Sequence, residues 1–179
     1  ALNHSQDELD PGYGQDLLRK AVGRQSVADV EVGTFLSGGL DSSLITSILC
    51  SSQEKDVHSY SAGFTSSGFD EIPDAMDFAS KMNIKHHHKY FDSDLIKKTP
   101  DIPRIYGGPF ADNAALPTYE LSREASKDVK VLLSGDGADE LFFGYKNHRA
   151  LFAETAIKGV LPNFIKNPTL KWISEWYPN

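Results

Sequence analysis

Apolar positions along the chain repeat with two periods. Over 13–28, Leu17, Leu18, Ala21, Val22 and Val27 fall near helical spacing and predict an amphipathic helix. The run Val30-Glu31-Val32-Gly33-Thr34-Phe35-Leu36 predicts a strand, 37–40 a turn, and 41–50 a helix with an apolar face. The unit then recurs with variation. A strand is predicted over 57–64, a loop over 65–68, a helix over 70–82 and a strand over 84–91. The stretch 94–105 reads as partly helical, interrupted by Pro100 and Pro103. A helix over 117–127 with proline in its first turn leads into a short strand over 129–133. A second glycine loop, Ser134-Gly135-Asp136-Gly137, precedes a helix from about Ala138. Strands alternating with helices imply an α/β fold, a parallel twisted sheet with helices on both faces. Residues 1–12, ending in Asp10-Pro11-Gly12, read as a flexible lead or linker, and 13–150 as the domain. Residues 151–179 read as the start of a helical extension. Trp172, Ile173 and Trp176 lie there among Pro162, Pro168 and Pro178 and want a partner surface.

A length of 179 residues suits one domain with a real core, and 40% hydrophobic with 24% charged residues is a globular composition. The formal net charge of −7 disfavours nonspecific nucleic-acid binding, which needs a basic surface. It leaves room for a nucleotide held by clustered N–H donors and a metal. Cys50 is the sole cysteine, so no internal disulfide forms and a reducing, cytoplasmic setting is expected. At the end of the apolar run 44–49 it reads as a buried small residue rather than a reactive thiol. No stretch approaches the length of a membrane span.

Chemistry concentrates in the two glycine loops. In Ser37-Gly38-Gly39-Leu40-Asp41-Ser42-Ser43, a strand, a tight turn and a helix start gather backbone N–H groups, and the helix dipole adds partial positive charge. Gly38 and Gly39 let a phosphate approach the backbone, while the hydroxyls of Ser37, Ser42 and Ser43 add donors. Asp41 would repel a phosphate unless it holds a Mg²⁺ that bridges the phosphates. The string lacks the Gly-Lys-Ser/Thr ending of a Walker A loop. A plain glycine turn with a capped helix is the competing reading, which the full string after an apolar strand disfavours. The second loop runs Leu132-Leu133-Ser134-Gly135-Asp136-Gly137-Ala138-Asp139-Glu140. Helix capping explains one or two of its three carboxylates but not the repeated Ser-Gly loop at a strand end. In a parallel sheet both loops lie at the carboxyl edge, where Asp41 and Asp139 could share one Mg²⁺.

The segments 32–43, 60–64, 109–123 and 134–145 resemble the synthetase domain of glutamine-hydrolysing asparagine synthetases, over roughly residues 13–150. The first loop resembles the pyrophosphate loop of the wider ATP-pyrophosphatase superfamily, which GMP, NAD and argininosuccinate synthetases share. The strings Pro-Phe-Ala-Asp-Asn-Ala-Ala-Leu-Pro-Thr-Tyr-Glu-Leu-Ser-Arg and Ser-Gly-Asp-Gly-Ala-Asp-Glu-Leu-Phe single out the family. The resemblance implies an adenine nucleotide alpha hydrolase-like fold. It further implies ATP-dependent adenylation of a carboxylate, aspartate's side chain first among candidates, with release of pyrophosphate and then attack by ammonia to give asparagine. By resemblance Leu36 and Ala62 contact the adenosine through backbone groups, and Ser134 and Gly135 hold the nucleotide. Asp41 and Asp139 bind Mg²⁺, Asp136 serves adenylate formation, and Glu140 belongs to the same catalytic group.

Three departures from the family bear on that reading. Asp136 stands where some members have Glu. No glutaminase domain, with its leading nucleophilic cysteine, precedes residue 1. The family's later lysine and acid-binding carboxylates would fall beyond residue 179, and Lys146 and Arg149 are unproven substitutes. The chain is therefore expected to be truncated at both ends, with a glutaminase domain in its parent. Competing readings are a related amidotransferase acting on a sugar acid, a peptide or a β-lactam precursor, and an ATP-binding fragment inactive alone. His86-His87-His88 invites a metal reading through His86 and His88, but no third ligand is in reach by sequence, and a structural strand is favoured. Phe69-Asp70-Glu71 reads as a helix start, with Asp70 or Glu71 near the ribose as a lesser option. Pro109, Phe110 and Asp112 read either as pocket lining or as a turn with a capping Asp.

Overall fold

The computed structural model describes residues 11–53, 56–65, 70–142 and 144–145, in two units, one up to Asp136 and one from Gly137. The flexible lead expected over 1–12 lies outside the described residues as far as residue 10, as do Phe69, Lys146, Arg149 and the extension 151–179. In the first unit, α1 (Pro11–Gln25) precedes β1 (Val32–Phe35), α2 (Leu40–Ser52), β2 (His58–Phe64), α3 (Ile72–Met82) and β3 (Lys85–Phe91). A 3-10 segment (Ser93–Asp101), α4 (Ile102–Tyr106), α5 (Ala115–Ala125) and β4 (Val131–Leu133) follow. The second unit holds α6 (Ala138–Phe142).

The four strands pair in the order β3-β2-β1-β4, all parallel. Thr34 of β1 stands opposite Ser59 of β2 and Leu133 of β4, and β2–β3 pairing runs from His58–Lys85 to Phe64–Phe91. Successive strands step one way from β1 to β3, and the chain then returns across the sheet to place β4 on the other side of β1. Right-handed crossovers put the helices of opposite steps on opposite faces. The core clusters follow that rule. Val22 of α1 and Ile48 and Leu49 of α2 pack with Val32 and Leu133, and Ala75 and Ala79 of α3 with Leu36. On the other face Leu121 and Ala125 of α5 cover Tyr60, with Phe35, Ala62 and Leu132 around them. The alternation along β1 and β2 thus serves both layers, as expected for an α/β sheet covered on both sides.

Element ends are set by local chemistry. Asn83 closes α3 in the left-handed region (φ 53°), its N–H reaching the carbonyls of Ala79 and Ser80, and Gly107 (φ 77°) ends α4. Asp92 accepts the Asp94 N–H at 2.9 Å to start the 3-10 segment, and Pro103 falls in the first turn of α4. Two strands are shorter than their apolar runs predict. Val30 is half exposed and outside β1. Val129 instead donates its N–H to the Ala125 carbonyl at 2.9 Å, closing α5, while its side chain joins the core. Helix α1 likewise begins at Pro11 and ends at Gln25, two to three residues ahead of its predicted bounds. Cys50 is half buried and free, and burial pushes its thiol up.

Several polar groups inside the layers are matched, although His86 Nε2 is buried with no hydrogen-bond partner among the described residues. The Thr46 hydroxyl reaches the Ser42 carbonyl at 2.7 Å and the Thr34 hydroxyl at 3.0 Å, with both threonines fully buried. His86 shares a 2.9 Å hydrogen bond with Ser59. Burial, then the neighbouring His88 and His87, push its imidazole down to about 4 and keep it neutral at pH 7. Glu120 of α5 is buried and meets Lys98 and Arg123 at 2.6 Å each, tying α5 to the 3-10 segment. Burial alone would push its carboxyl up, but the two cations hold it below the ordinary value. Such a group adds stability above its unfolded pKa and loses it as pH falls through the lower folded one. Glu120→Gln is expected to cost about 1–2 kcal/mol at pH 7, the low end because both cations are half exposed. The difference from the parent should shrink below about pH 4.3, near the unfolded carboxyl value. Urea unfolding of both proteins at pH 7 and at about pH 2.5, well below the unfolded carboxyl value, checks this. An equal loss at both pH values would contradict it.

Candidate functional site

The strand order reverses between β1 and β4, and the loops leaving these two strands open at the carboxyl edge of the sheet. Ligands of open α/β sheets bind at such a reversal. The sequence places its two glycine loops there.

The first loop joins β1 to α2. Gly38 adopts φ 82°, and a Cβ there would lie 2.7 Å from the Ala75 N and 2.7 Å from the Asp74 Cβ, so the loop rests on the first turns of α3. Its serines stitch the turn together. The Ser37 N–H donates to Ser42 Oγ at 3.1 Å, the Gly39 N–H donates to Ser37 Oγ at 3.1 Å, and the two hydroxyls lie 3.0 Å apart. Gly39, the N-cap of α2, brings no capping side chain. The first-turn N–H groups of Leu40, Asp41 and Ser42 therefore have no acceptor within the helix. This is a partial positive charge with open donors, suited to an anionic oxygen. The Ser43 hydroxyl is buried and has no hydrogen-bond partner among the described residues.

The second loop presses on the first. A Cβ at Gly135 would lie 2.9 Å from the Ser42 N and 3.0 Å from the Asp41 carbonyl carbon, so only glycine permits this approach. Beside it the exposed Asp136 donates its N–H to Ser134 Oγ at 3.2 Å. The structure thus brings Gly135, flanked by Ser134 and Asp136, to Asp41 and Ser42 at the start of α2. Leu36 is buried; its N–H donates to the Tyr60 carbonyl at 2.9 Å, and its own carbonyl accepts from the Ser61 hydroxyl. Ala62 is half buried on the α5 face of β2.

In the second unit Asp139 and Glu140 occupy the first turn of α6, as their residue types favour. The Gly144 N–H donates to the Asp139 carbonyl at 3.0 Å, and the Tyr145 hydroxyl donates to Glu140 at 2.6 Å.

The oxygen donors at the first loop suit a hard divalent cation. Asp41 is half exposed in the first turn of α2, and its carboxylate has no hydrogen bond or ion pair among the described residues. Asp70 behaves as a helix-start residue. Its carboxylate accepts the Ile72 N–H at 3.2 Å and the Tyr90 hydroxyl at 3.1 Å. Asp112 likewise accepts the Ala114 N–H at 2.8 Å, the turn reading of that segment, and Tyr106 stacks on Phe110 at 4.5 Å.

One grouping escaped the sequence. His87, on the face of β3 opposite His86 and His88, meets His58 and Asp128. Its partners lie 29 and 41 residues away in sequence, and only the β2–β3 register reveals them.

Among the described residues no helix is long and apolar enough to cross a membrane. The profile of the Asparagine synthase family matches residues 14–175. Asparagine synthetase (glutamine-hydrolyzing) 1 of Bacillus subtilis strain 168 is 39% identical over 140 residues, covering 75% of this chain and 21% of its own length. A Methanocaldococcus jannaschii relative is 38% identical over 155 residues, covering 86% of this chain and 30% of its own. The chain therefore spans less than a third of the length of these relatives. Among solved structures, the NMN synthetase of Francisella tularensis superposes with a TM-score of 0.54 at 18% identity, over 77% of this chain and 59% of that one, and shares the fold. With a parallel sheet, paired Ser-Gly loops at its point of reversal and a family profile spanning most of its length, the chain belongs to the Asparagine synthase family.

Proposed function

We propose that this chain is the nucleotide-binding part of an ATP-dependent, amide-forming synthetase, with the aspartate side chain as the first candidate acceptor and asparagine as product. The observation that carries the reading is the uncapped start of α2, held between α3 at Gly38 and the second loop at Gly135. A pyrophosphate seated there would meet the N–H groups of Leu40, Asp41 and Ser42 and the serine hydroxyls. Phosphate oxygens are thus bound by fixed dipoles that need no rearrangement as charge develops.

In the proposed reaction a carboxylate oxygen attacks the α-phosphorus of ATP. The bond from that phosphorus to the bridging oxygen breaks, and pyrophosphate leaves with the electron pair. Ammonia then attacks the acyl-AMP carbon, loses a proton, and expels AMP to give the amide. The loop fixes the leaving pyrophosphate and so the line of attack. Asp41 would hold Mg²⁺, which when bound neutralises phosphate charge. The parts of Asp139, Asp136 and Glu140 in this scheme, and those of Leu36 and Ala62 toward the adenosine, rest on the sequence motif. Ammonia would come from a glutaminase domain of the parent protein, as the names of the relatives suggest. An ATP-binding piece without activity of its own is the second reading.

The parent protein, given ATP, Mg²⁺, aspartate and ammonia, is expected to form AMP and pyrophosphate in step with asparagine. Quantifying the nucleotides by chromatography and pyrophosphate by a coupled assay decides it. ADP and phosphate as products would remove the adenylation reading. Nucleotide binding without pyrophosphate release would leave only the binding reading.

A further inference from the structure

The amino edge of the sheet, away from the two loops, carries a second constellation. His58 opens β2, His87 lies on β3 in register with Tyr60, and Asp128 sits in the turn between α5 and β4. Their ligand atoms all lie within 4.8 Å of one another. His87 Nε2 and His58 Nδ1 face each other at 3.2 Å. Three segments that are remote in sequence thus converge two imidazole nitrogens and a carboxylate on one point.

We propose that His58, His87 and Asp128 form a binding site for a zinc-class divalent cation. Zinc binds imidazole nitrogen at about 2.0–2.1 Å, which in tetrahedral geometry sets neighbouring ligand atoms about 3.3 Å apart. The 3.2 Å between the two nitrogens is already that edge. Two imidazoles and one carboxylate select a borderline cation and disfavour Mg²⁺, which prefers oxygen alone. Solvent reaches the exposed Asp128, so water completes the fourth position.

The surroundings hold the ligands as metal sites require. The Tyr60 hydroxyl donates to Asp128 Oδ2 at 3.2 Å, orienting the carboxylate and leaving its remaining lone pairs for the cation. The His87 ring stacks on Tyr60 at 4.9 Å and on His58 at 5.1 Å, which limits its rotation. In the competing arrangement one imidazole simply donates a proton to the other. That bond needs no carboxylate in reach. The metal form needs only that each neutral ring carry its proton on the other nitrogen. A cation here would pin β2, β3 and the α5–β4 turn together, on the edge away from the proposed nucleotide loops.

The test uses the untagged chain, stripped of metal and titrated with zinc against a chromophoric chelator. His58, His87 and Asp128 are expected to take up one equivalent, and zinc to raise the unfolding temperature. Cobalt in its place should give the visible bands of a tetrahedral site. Asp128→Asn, isosteric and exposed, and His87→Gln should each weaken zinc binding at least about 10-fold. His88→Ala, on the other face of β3, and a His4→Ala/His148→Ala double variant should bind as the parent does. No zinc uptake by the parent at micromolar concentration, or parental affinity in Asp128→Asn, would overturn the site. Should His87→Gln fail to fold, Asp128→Asn decides alone.

Discussion

Gly38→Ala is expected to lower the free energy of unfolding by about 2–5 kcal/mol and to abolish Mg-ATP binding. Two costs combine. At φ 82° an L-residue carries roughly 1–2 kcal/mol of left-handed strain. The added methyl would also lie 2.7 Å from the Ala75 backbone nitrogen and 2.8 Å from the Asp74 carbonyl carbon, atoms of α3 that cannot rotate away. Overpacking of that kind costs about 1–3 kcal/mol. The loop would have to lift from α3, carrying the start of α2 with it. Gly23 in α1 is the internal control, since nothing lies within 4 Å of a Cβ there. Gly23→Ala should be neutral or stabilising by about 0.5–1 kcal/mol. Urea unfolding and calorimetric titration with Mg-ATP measure both effects. A Gly38→Ala protein with the parent's unfolding midpoint and nucleotide affinity would show that the loop is not held as described.

Asp41→Asn should separate binding from folding. The carboxylate makes no hydrogen bond or ion pair among the described residues, so its fold contribution is limited to the helix dipole, about 0.3–1 kcal/mol. If Asp41 holds Mg²⁺, its loss should weaken Mg-ATP binding about 100-fold, a metal ligand being worth several kcal/mol. Titrations at several Mg²⁺ concentrations distinguish the metal role from simple charge. Loss of a metal ligand flattens the dependence on Mg²⁺. Removal of a repulsive charge would instead strengthen metal-free ATP binding. Unchanged Mg-ATP affinity would end the metal assignment.

Most of the α/β architecture could be read from the chain because its signals are local. A glycine pair after an apolar run marks the end of β1, and the second Ser-Gly loop marks the end of β4. Strand limits were less legible. Val30 and Val129 belong to apolar runs, but one faces solvent and the other closes a helix through its N–H. Neither fate is encoded in residue type. Long-range facts were invisible. Nothing in the sequence says that Gly38 rests on α3, that Gly135 touches the Ser42 nitrogen, or that Glu120 is buried between Lys98 and Arg123. The histidines show the same limit. Strand parity correctly paired His86 with His88, yet the contact of interest falls to His87, through a register that only β-pairing sets.

The serine stitching of the first loop has a consequence for kinetics. Because Ser37, Gly39 and Ser42 hydrogen-bond to one another, the loop proposed to hold the nucleotide is preorganised by its own bonds. Docking at a loop so held would carry little ordering entropy. Under the proposed function, the speed of capture would be governed by the charge of the incoming triphosphate against a chain of net charge −7. A cation arriving with the nucleotide would quicken that encounter as well as stabilise its outcome.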